Sequence, residues 1–226
     1  MAAPARLTRA VRGRNGRPDV EIDLRSASTA DRYKVLTNTV TPRPIAWITS
    51  LSKKGVVNAA PYSFFNAVGH EPPLIVLGLL KEPGTGGLKN TASNIVSTGE
   101  FVVNLVSEAD AERMNLCSID APPEVSEIEL AGVETVPSVV VAPPRVASAP
   151  VCFECRKLVA LDIGTQQTVV LAEVLYAHID DRFVLDPQRL YLDIPAMKLI
   201  GRTHGSGWYV RNSDAFQLDR PRSKRD

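Results

Sequence analysis

The sequence predicts a mainly β protein, built as an antiparallel barrel with a few helices packed outside it. Short apolar and β-branched runs bounded by turn residues recur along the chain, which is typical of strands. No helix alternates regularly with these strands, and no internal repeat is present. A parallel βαβ sheet is therefore disfavoured, and an antiparallel barrel is favoured.

The first predicted strands form a hairpin. Residues 44–51 are apolar and β-branched, residues 52–55 supply a polar turn that ends in glycine, and residues 56–60 return as the partner strand. Proline cannot donate a main-chain hydrogen bond. We therefore expect Pro61 and residues 64–66 to interrupt the ladder.

Two strands and two short helices are predicted in the middle of the chain. Residues 74–80 are a short continuous apolar run and predict a buried strand, and residues 101–106 predict the next strand. Between them, residues 88–98 predict a helix that ends at Gly99. Residues 108–116 predict a second helix, because acidic side chains are concentrated in its first turns.

The last third of the chain predicts two long strands and several loops. The strands cover residues 151–161 and 168–179 and are joined through a glycine turn. A proline-bearing loop covers residues 118–127, and residues 137–150 are irregular. Residues 200–209 hold three glycines and predict a tight loop rather than a regular element.

Composition divides the chain into one domain and two tails. Residues 1–30 carry five arginines before the first acid and predict a basic, partly disordered N-terminal tail. The arginines would also fit an organellar transit segment or a nucleic-acid arm, although a solvated tail is the simpler interpretation. Residues 31–221 are expected to form the single domain, followed by a C-terminal tail at residues 222–226.

The overall charge gives no global field that would recruit a polyanion. The chain has 26 basic and 25 acidic residues and a formal net charge of +1, so we expect neither nucleic acid nor a membrane surface as a partner. No apolar stretch approaches the ~20 residues that cross a bilayer, and no apolar run of signal-peptide type is present. We therefore expect a cytoplasmic protein.

The cysteines and histidines do not predict a metal site. Cys152 and Cys155 form a C-x-x-C pair, but residues three apart on a strand point to opposite faces, so both are expected to be structural. His70, His178 and His204 lack the spacing of metal ligands.

A glycine cluster at residues 84–87 precedes Lys89 without matching a P-loop, because Leu88 and Asn90 stand where glycine and a hydroxyl residue are needed. What remains is a helix start that carries Lys89, Asn90 and Thr91. Its free backbone N–H groups could hold a phosphate monoester. A simple N-cap provided by Asn90 or Thr91 is the alternative.

An aromatic and polar segment at residues 62–66 follows the second strand. It could plug one end of a barrel or form a wall for a ligand, and Trp47 carries the same ambiguity. A flat cofactor would use such a place, since apolar walls hold its ring and nearby amides meet its polar edge.

Several segments, in this order, resemble the flavin-reductase-like, FMN-binding split β-barrel family. They are residues 41–49, 58–66, 71–73, 89–94 and 99–104, with closing segments at 208–211 and 216–221. The resemblance spans about residues 33 to 221. It implies an antiparallel split β-barrel of Greek-key type with a few peripheral helices.

The resemblance also implies where a flavin would bind. The isoalloxazine ring would lie against residues 46–50 and 60–65 near a dimer interface, and the phosphate would reach the helix start and, in second place, Arg43. The implied cofactor-binding residues are Arg43, Ala46, Trp47, Thr49, Ser50, Ala60, Ser63, Phe64, Phe65, Lys89, Asn90 and Thr91. His204 and Tyr209 would border the nicotinamide.

The function implied by the resemblance is that of an NAD(P)H-dependent FMN reductase. It would be a homodimer that transfers a hydride from NAD(P)H to FMN and supplies a partner monooxygenase. The flavin provides the chemistry, so no catalytic side chain is expected. Two alternatives stay open: an FMN-binding electron-transfer protein without nicotinamide activity, and an oxidase resembling pyridoxamine-phosphate oxidase.

Overall fold

The computed structural model describes residues 7–12 and 18–221. Residues 1–6 and 13–17 of the predicted basic tail, and the predicted C-terminal tail at 222–226, lie outside the described residues. The strands are β1 (Leu7–Arg12), β2 (Pro18–Ile22), β3 (Arg43–Pro44), β4 (Ala46–Leu51), β5 (Val57–Tyr62), β6 (Phe65–His70), β7 (Pro73–Leu80), β8 (Glu100–Leu105), β9 (Thr135–Val136), β10 (Arg145–Val146), β11 (Val151–Ile163), β12 (Gln167–Ile179), β13 (Val184–Asp186), β14 (Tyr191–Leu192), β15 (Ile200–Arg202) and β16 (Tyr209–Arg211). The helices are α1 (Thr29–Thr39), α2 (Asn90–Thr98), α3 (Ala111–Leu116) and α4 (Glu127–Leu130), with 3₁₀ turns at Glu108–Asp110 and Asp181–Phe183.

One seven-stranded sheet organises the molecule. Its strand order is β5-β4-β8-β11-β12-β7-β6, and every neighbouring pair is antiparallel. The two edge strands, β5 and β6, follow each other in the chain and are separated by Ser63 and Phe64 alone. The sheet therefore curls until its edges meet at this point, where the Phe64 carbonyl accepts a hydrogen bond of 2.7 Å from Gly78 N of β7. The predicted split β-barrel is confirmed.

Strand β4 lies inside the molecule with both of its faces covered. Ala46 and Ile48 belong to the main core, whereas Ile45 and Trp47 belong to a second core on the other face. The side chains alternate between the two cores because successive residues of a strand point to opposite faces. This double burial explains why the segment is a continuous apolar run rather than an alternating one.

The predicted interruption at Pro61 is wrong. Strand β5 continues through Tyr62, and Pro61 is paired with Trp47 of β4. Because β5 is an edge strand, only one of its sides needs hydrogen bonds, and an edge position tolerates proline. The chain leaves the ladder only at Ser63 and Phe64, and strand β6 begins at Phe65, so residues 65 and 66 do not interrupt it.

The segment at 200–209 was also predicted incorrectly. Strands β15 and β16 form a hairpin there, and β3 joins it to complete a three-stranded sheet. Gly205 and Gly207 make the connection with φ values of +61° and +79°. Strands β15 and β16 have three residues each, which is too short for an alternation of apolar and polar residues to be visible in the sequence.

The remaining predicted strands of the barrel and helix α2 are confirmed within two residues, whereas the helix predicted at 108–116 is a 3₁₀ turn at Glu108–Asp110 followed by α3 at Ala111–Leu116. Helix α2 starts after Lys89 and ends at Gly99, whose φ of +80° is the left-handed conformation of a helix C-cap. The N-terminal region contains features that the composition did not indicate: strands β1 and β2 pair with each other, and α1 begins at Thr29. No helix in the described part of the chain is both long and apolar enough to span a membrane.

The cysteines are free and buried. Cys152 packs in a small cluster with Val102 and Val141, while Cys155 packs in the main core. The expectation that the C-x-x-C pair points to opposite faces of its strand is confirmed. Within residues 7–12 and 18–221, no group of three or more His, Cys, Asp or Glu side chains could hold a metal ion.

A buried carboxylate fastens the irregular segment at 137–150 to the barrel. Glu154 on β11 has no exposed surface, and its oxygens accept hydrogen bonds from Val139 N at 2.7 Å and Val140 N at 2.6 Å. His178 Nε2 lies 2.6 Å from the same carboxylate. Burial by itself raises the pKa of Glu154, but these hydrogen bonds outweigh it and hold the pKa below its ordinary value.

We expect Glu154→Gln to lower the free energy of unfolding by about 2–3 kcal/mol at neutral pH, because charge-assisted hydrogen bonds are lost. A lowered folded pKa means that the contribution of the ionised group is present above the ordinary value of 4.5 and is lost as the pH falls through the folded value. The difference between the two proteins should therefore shrink in acid. Urea unfolding at neutral pH and below pH 4.5 measures it.

The matched control is Glu129→Gln, which neutralises an exposed glutamate. Equal stabilities of the Glu154→Gln variant and the wild type at neutral pH would contradict the assigned role.

Candidate functional site

A pocket of about 670 Å³ opens where the barrel edges meet the start of helix α2. One side is formed by the end of β5 and by Ser63 and Phe64, and the other by residues 117–123. The first turn of α2 closes one end. A volume of this size is typical of sites that bind a cofactor or a drug-sized molecule.

The wall on the barrel side is apolar and closely packed. Ala60, Pro61 and Phe64 line it, and Tyr33 of α1 meets the Phe64 ring edge-on at a centroid distance of 6.1 Å. Gly78 is needed here, because a Cβ at this position would lie 3.0 Å from the Cβ of Phe64. The absence of a side chain lets β7 approach the segment that joins the two barrel edges.

The start of α2 lines the pocket and has no side-chain cap. Lys89 occupies the N-cap position and makes no capping hydrogen bond. The alternative in which Asn90 or Thr91 caps the helix is wrong, since both lie inside it. An uncapped helix start carries partial positive charge and free donors, which suits an anionic group.

A polar network forms the floor of the pocket. Thr91 Oγ1 donates to Asn58 Oδ1 at 2.6 Å, and Asn58 Nδ2 donates to the two carboxylate oxygens of Glu127 at 2.7 and 2.8 Å. Ala59 N donates to the same carboxylate at 3.1 Å. Asn58 and Glu127 are 5% and 3% exposed, so the carboxylate depends on these neutral donors.

Ser50 extends this network behind the pocket. Its hydroxyl donates to Asn58 Oδ1 at 3.3 Å and accepts from Asn94 Nδ2 at 3.1 Å. Strands β4 and β5 and helix α2 are thereby linked through buried polar side chains. The orientation of Thr91 at the pocket is thus fixed by residues from three elements.

Tyr62 adds a neutral donor to the pocket. Burial raises the pKa of its phenol to about 12; the Thr91 hydroxyl opposes this rise and the charge of Glu127 adds to it. The phenol therefore keeps its proton over the whole physiological range and can donate a hydrogen bond.

The structure brings together half of the predicted cofactor residues and buries several others. Those lining the pocket are Ala60, Ser63, Phe64, Lys89, Asn90 and Thr91. Those of β4 with no exposed surface are Ala46, Trp47, Thr49 and Ser50. Thr49 Oγ1 donates to the Pro144 carbonyl at 2.5 Å, and Phe65 packs against the main core.

Arg43 is buried and its donors are largely committed to main-chain carbonyls. Its Nη1 donates to the oxygens of Thr37 at 2.7 Å and Val40 at 2.6 Å, and its Nη2 donates to that of Thr203 at 3.0 Å. A longer bond of 3.4 Å reaches Ser63 Oγ. Burial lowers the pKa of this guanidinium from its ordinary value. Arg43 thus fastens α1 and the β15–β16 hairpin beside the pocket.

The predicted nicotinamide residues lie on the β15–β16 hairpin, outside the pocket lining. His204 stacks on Trp208 with ring centroids 5.8 Å apart, and the guanidinium of Arg202 lies over the Tyr209 ring at 4.7 Å. Their link to the pocket is indirect: Thr203 accepts from the arginine that also contacts Ser63.

Sequence reasoning missed Asn58 and Glu127. Asn58 stands among apolar neighbours in a strand, which is a signal for a buried polar group that needs a partner. Glu127 follows a proline-bearing loop and has no comparable signal, because its partners are 68 and 69 residues away in the chain.

Fold and pocket together define a split-barrel protein with a pocket where the barrel edges meet the start of α2. Residues 38–193 match the family described as "Flavin reductase like domain", and the chain belongs to this family. The 2-nitrobenzoate 2-nitroreductase NbaA of Pseudomonas fluorescens is 34% identical with a TM-score of 0.80, covering 89% of this chain and 96% of its own. Nitrilotriacetate monooxygenase component B of Bacillus cereus is 31% identical with a TM-score of 0.82, covering 88% and 98%.

A third solved structure is similar in fold. It is a protein with a split barrel domain from Shewanella frigidimarina NCIMB 400, at 18% identity and a TM-score of 0.74, covering 87% of this chain and 96% of its own. At this identity the likeness is one of fold alone, and it agrees with the split-barrel fold described above.

We expect Asn58→Ala to lower the free energy of unfolding by about 2–3 kcal/mol, because the Glu127 carboxylate loses the hydrogen bonds from Nδ2 while it stays buried. Urea denaturation measures the change. Asn66→Ala is the matched control, since Asn66 is exposed and its side-chain oxygen accepts a local hydrogen bond from Ala67 N. Equal losses in the two variants would contradict the role given to Asn58.

Proposed function

We propose that this protein binds FMN in the pocket, reduces it with NAD(P)H and supplies electrons to a partner monooxygenase. The observation that carries the proposal is the joining of an apolar wall to an uncapped helix start bearing Lys89. The first suits a flat ring and the second suits a phosphate.

The residues fit the phosphate end of FMN. Lys89 lies at the pocket and its side chain is 34% exposed, so its ammonium can meet an anion from the solvent. Backbone N–H groups of the first turn of α2 add donors. We assign the phosphate to Lys89 and Asn90, with Thr91 holding the turn in place through Asn58.

The residues also fit the ring. Ala60, Pro61 and Phe64 provide apolar surface, and Tyr62 provides a donor that stays protonated. When bound, FMN supplies the redox chemistry, accepting a hydride and passing electrons on. The protein would bind and orient it, and β4, whose residues 46–50 are fully buried, pairs with the strand that forms the wall.

The relatives support reductase chemistry and a monooxygenase partner. One is a nitroreductase at 34% identity, and the other is the component B of a monooxygenase at 31%. We also propose that His204 and Tyr209 border the nicotinamide. Both lie on the β15–β16 hairpin, which Arg43 links to Ser63 of the pocket.

A homodimer is part of the proposal. Strand β11 exposes large apolar side chains, with Leu158, Leu161 and Ile163 each about half exposed (50%, 51% and 57%). Exposed apolar surface on a sheet favours an interface, and a second copy of the chain is the partner we propose for it.

We expect the purified protein to quench the fluorescence of FMN on titration and to bind FMN more tightly than riboflavin, which lacks the phosphate. Lys89→Ala should weaken FMN binding about tenfold and leave riboflavin unchanged, because one charge-assisted contact is removed. Lys53→Ala, in an exposed turn, is the control. No quenching by either flavin would refute the flavin assignment.

We expect anaerobic NADH or NADPH to bleach the visible absorbance of the bound flavin. Bound FMN that no nicotinamide reduces would instead support the electron-transfer alternative. Release of peroxide that depends on a small amine would support the oxidase alternative.

A further inference from the structure

The loop at residues 118–123 contacts the helix start across the mouth of the pocket. Asp120 Oδ1 lies 2.6 Å from Lys89 Nζ, and the Ala121 carbonyl accepts a hydrogen bond of 2.9 Å from Asn90 Nδ2. A single loop therefore supplies the partners of two residues that are assigned to the phosphate. Its side chains line the same pocket.

Asp120 differs from the other carboxylates that line the pocket. Glu127 is held by Asn58, and the carboxylate of Glu82 accepts a hydrogen bond of 3.1 Å from Thr85. Within residues 7–12 and 18–221, no ion pair is formed by either of these two carboxylates. Asp120 is the pocket carboxylate that forms an ion pair, and it does so with Lys89.

This ion pair is accessible to an incoming anion. The side chain of Asp120 is 84% exposed and that of Lys89 is 34% exposed. An exposed ion pair of this kind changes a folding or binding constant by up to about fivefold, and its partners exchange readily with solvent ions. A phosphate dianion offers the same ammonium a stronger partner.

We propose that Asp120 is a specificity-determining residue that competes with the phosphate of the ligand for Lys89. In the free protein it holds the ammonium, and a phosphorylated flavin binds only as this contact is released. The competition lowers the affinity for the phosphorylated ligand and not for the ring.

This inference rests on the proposed function and is tested by comparing two flavins. We expect Asp120→Asn to tighten FMN binding about three- to fivefold and to leave riboflavin binding unchanged, as measured by fluorescence titration at low salt. Asp181→Asn removes an exposed charge that does not line this pocket and should change neither. Unchanged or weaker FMN binding by the Asp120→Asn variant would overturn the proposal.

The same substitution in a Lys89→Ala background tests whether the effect runs through Lys89. The gain in FMN affinity should then be smaller, because the contested cation is absent. An equal gain in both backgrounds would show that Asp120 repels the ligand through charge alone. It would overturn the proposal that Asp120 competes with the phosphate for Lys89.

A third titration separates this inference from the flavin assignment. If the wild type binds neither flavin, the proposed function fails, and inorganic phosphate is then titrated while the amide signals of residues 89–91 are followed by NMR. Stronger phosphate binding by Asp120→Asn than by the wild type would support the competition for Lys89. Equal binding would overturn it.

Discussion

The buried carboxylate of Glu127 is the constraint on which the pocket depends. It joins the short helix α4 to strand β5 through Asn58 and Ala59, and Asn58 in turn holds Thr91 at the start of α2. A buried charge must be surrounded by donors, because an unpaired one would cost far more than the fold can supply. The geometry of the pocket floor therefore follows from satisfying this one group.

Glu154 applies the same principle elsewhere in the barrel. Its carboxylate gathers the backbone N–H groups of Val139, Val140 and Val141 and the imidazole of His178. In both places a carboxylate fastens a loop with little regular structure to a strand or helix of the barrel. Hydrogen bonds to ionised groups are the stronger ones, which makes them suited to this task.

The long strands of the barrel and helix α2 could be predicted because their sequence signals are local. Strand β7 is an apolar run, β8 is rich in apolar and β-branched residues, and α2 is followed by a glycine whose left-handed conformation ends the helix. Pro61 was misleading because the rule against proline in a strand does not apply at an edge, and the sequence does not show which strand lies there. The β15–β16 hairpin was missed because its strands are too short to show a period.

The sequence by itself determined the class of fold, the position of the helix start and the family, since each depends on neighbours along the chain or on an ordered set of segments. The tertiary structure decided which of those residues face the pocket. Trp47 and Thr49 are hidden because β4 lies in mid-sheet with packing on both faces. Glu127 bonds to a residue 69 positions earlier in the chain, and Asp120 bonds to one 31 positions earlier. Local sequence patterns carry no information over such separations, so only the folded chain shows that both residues belong to the site.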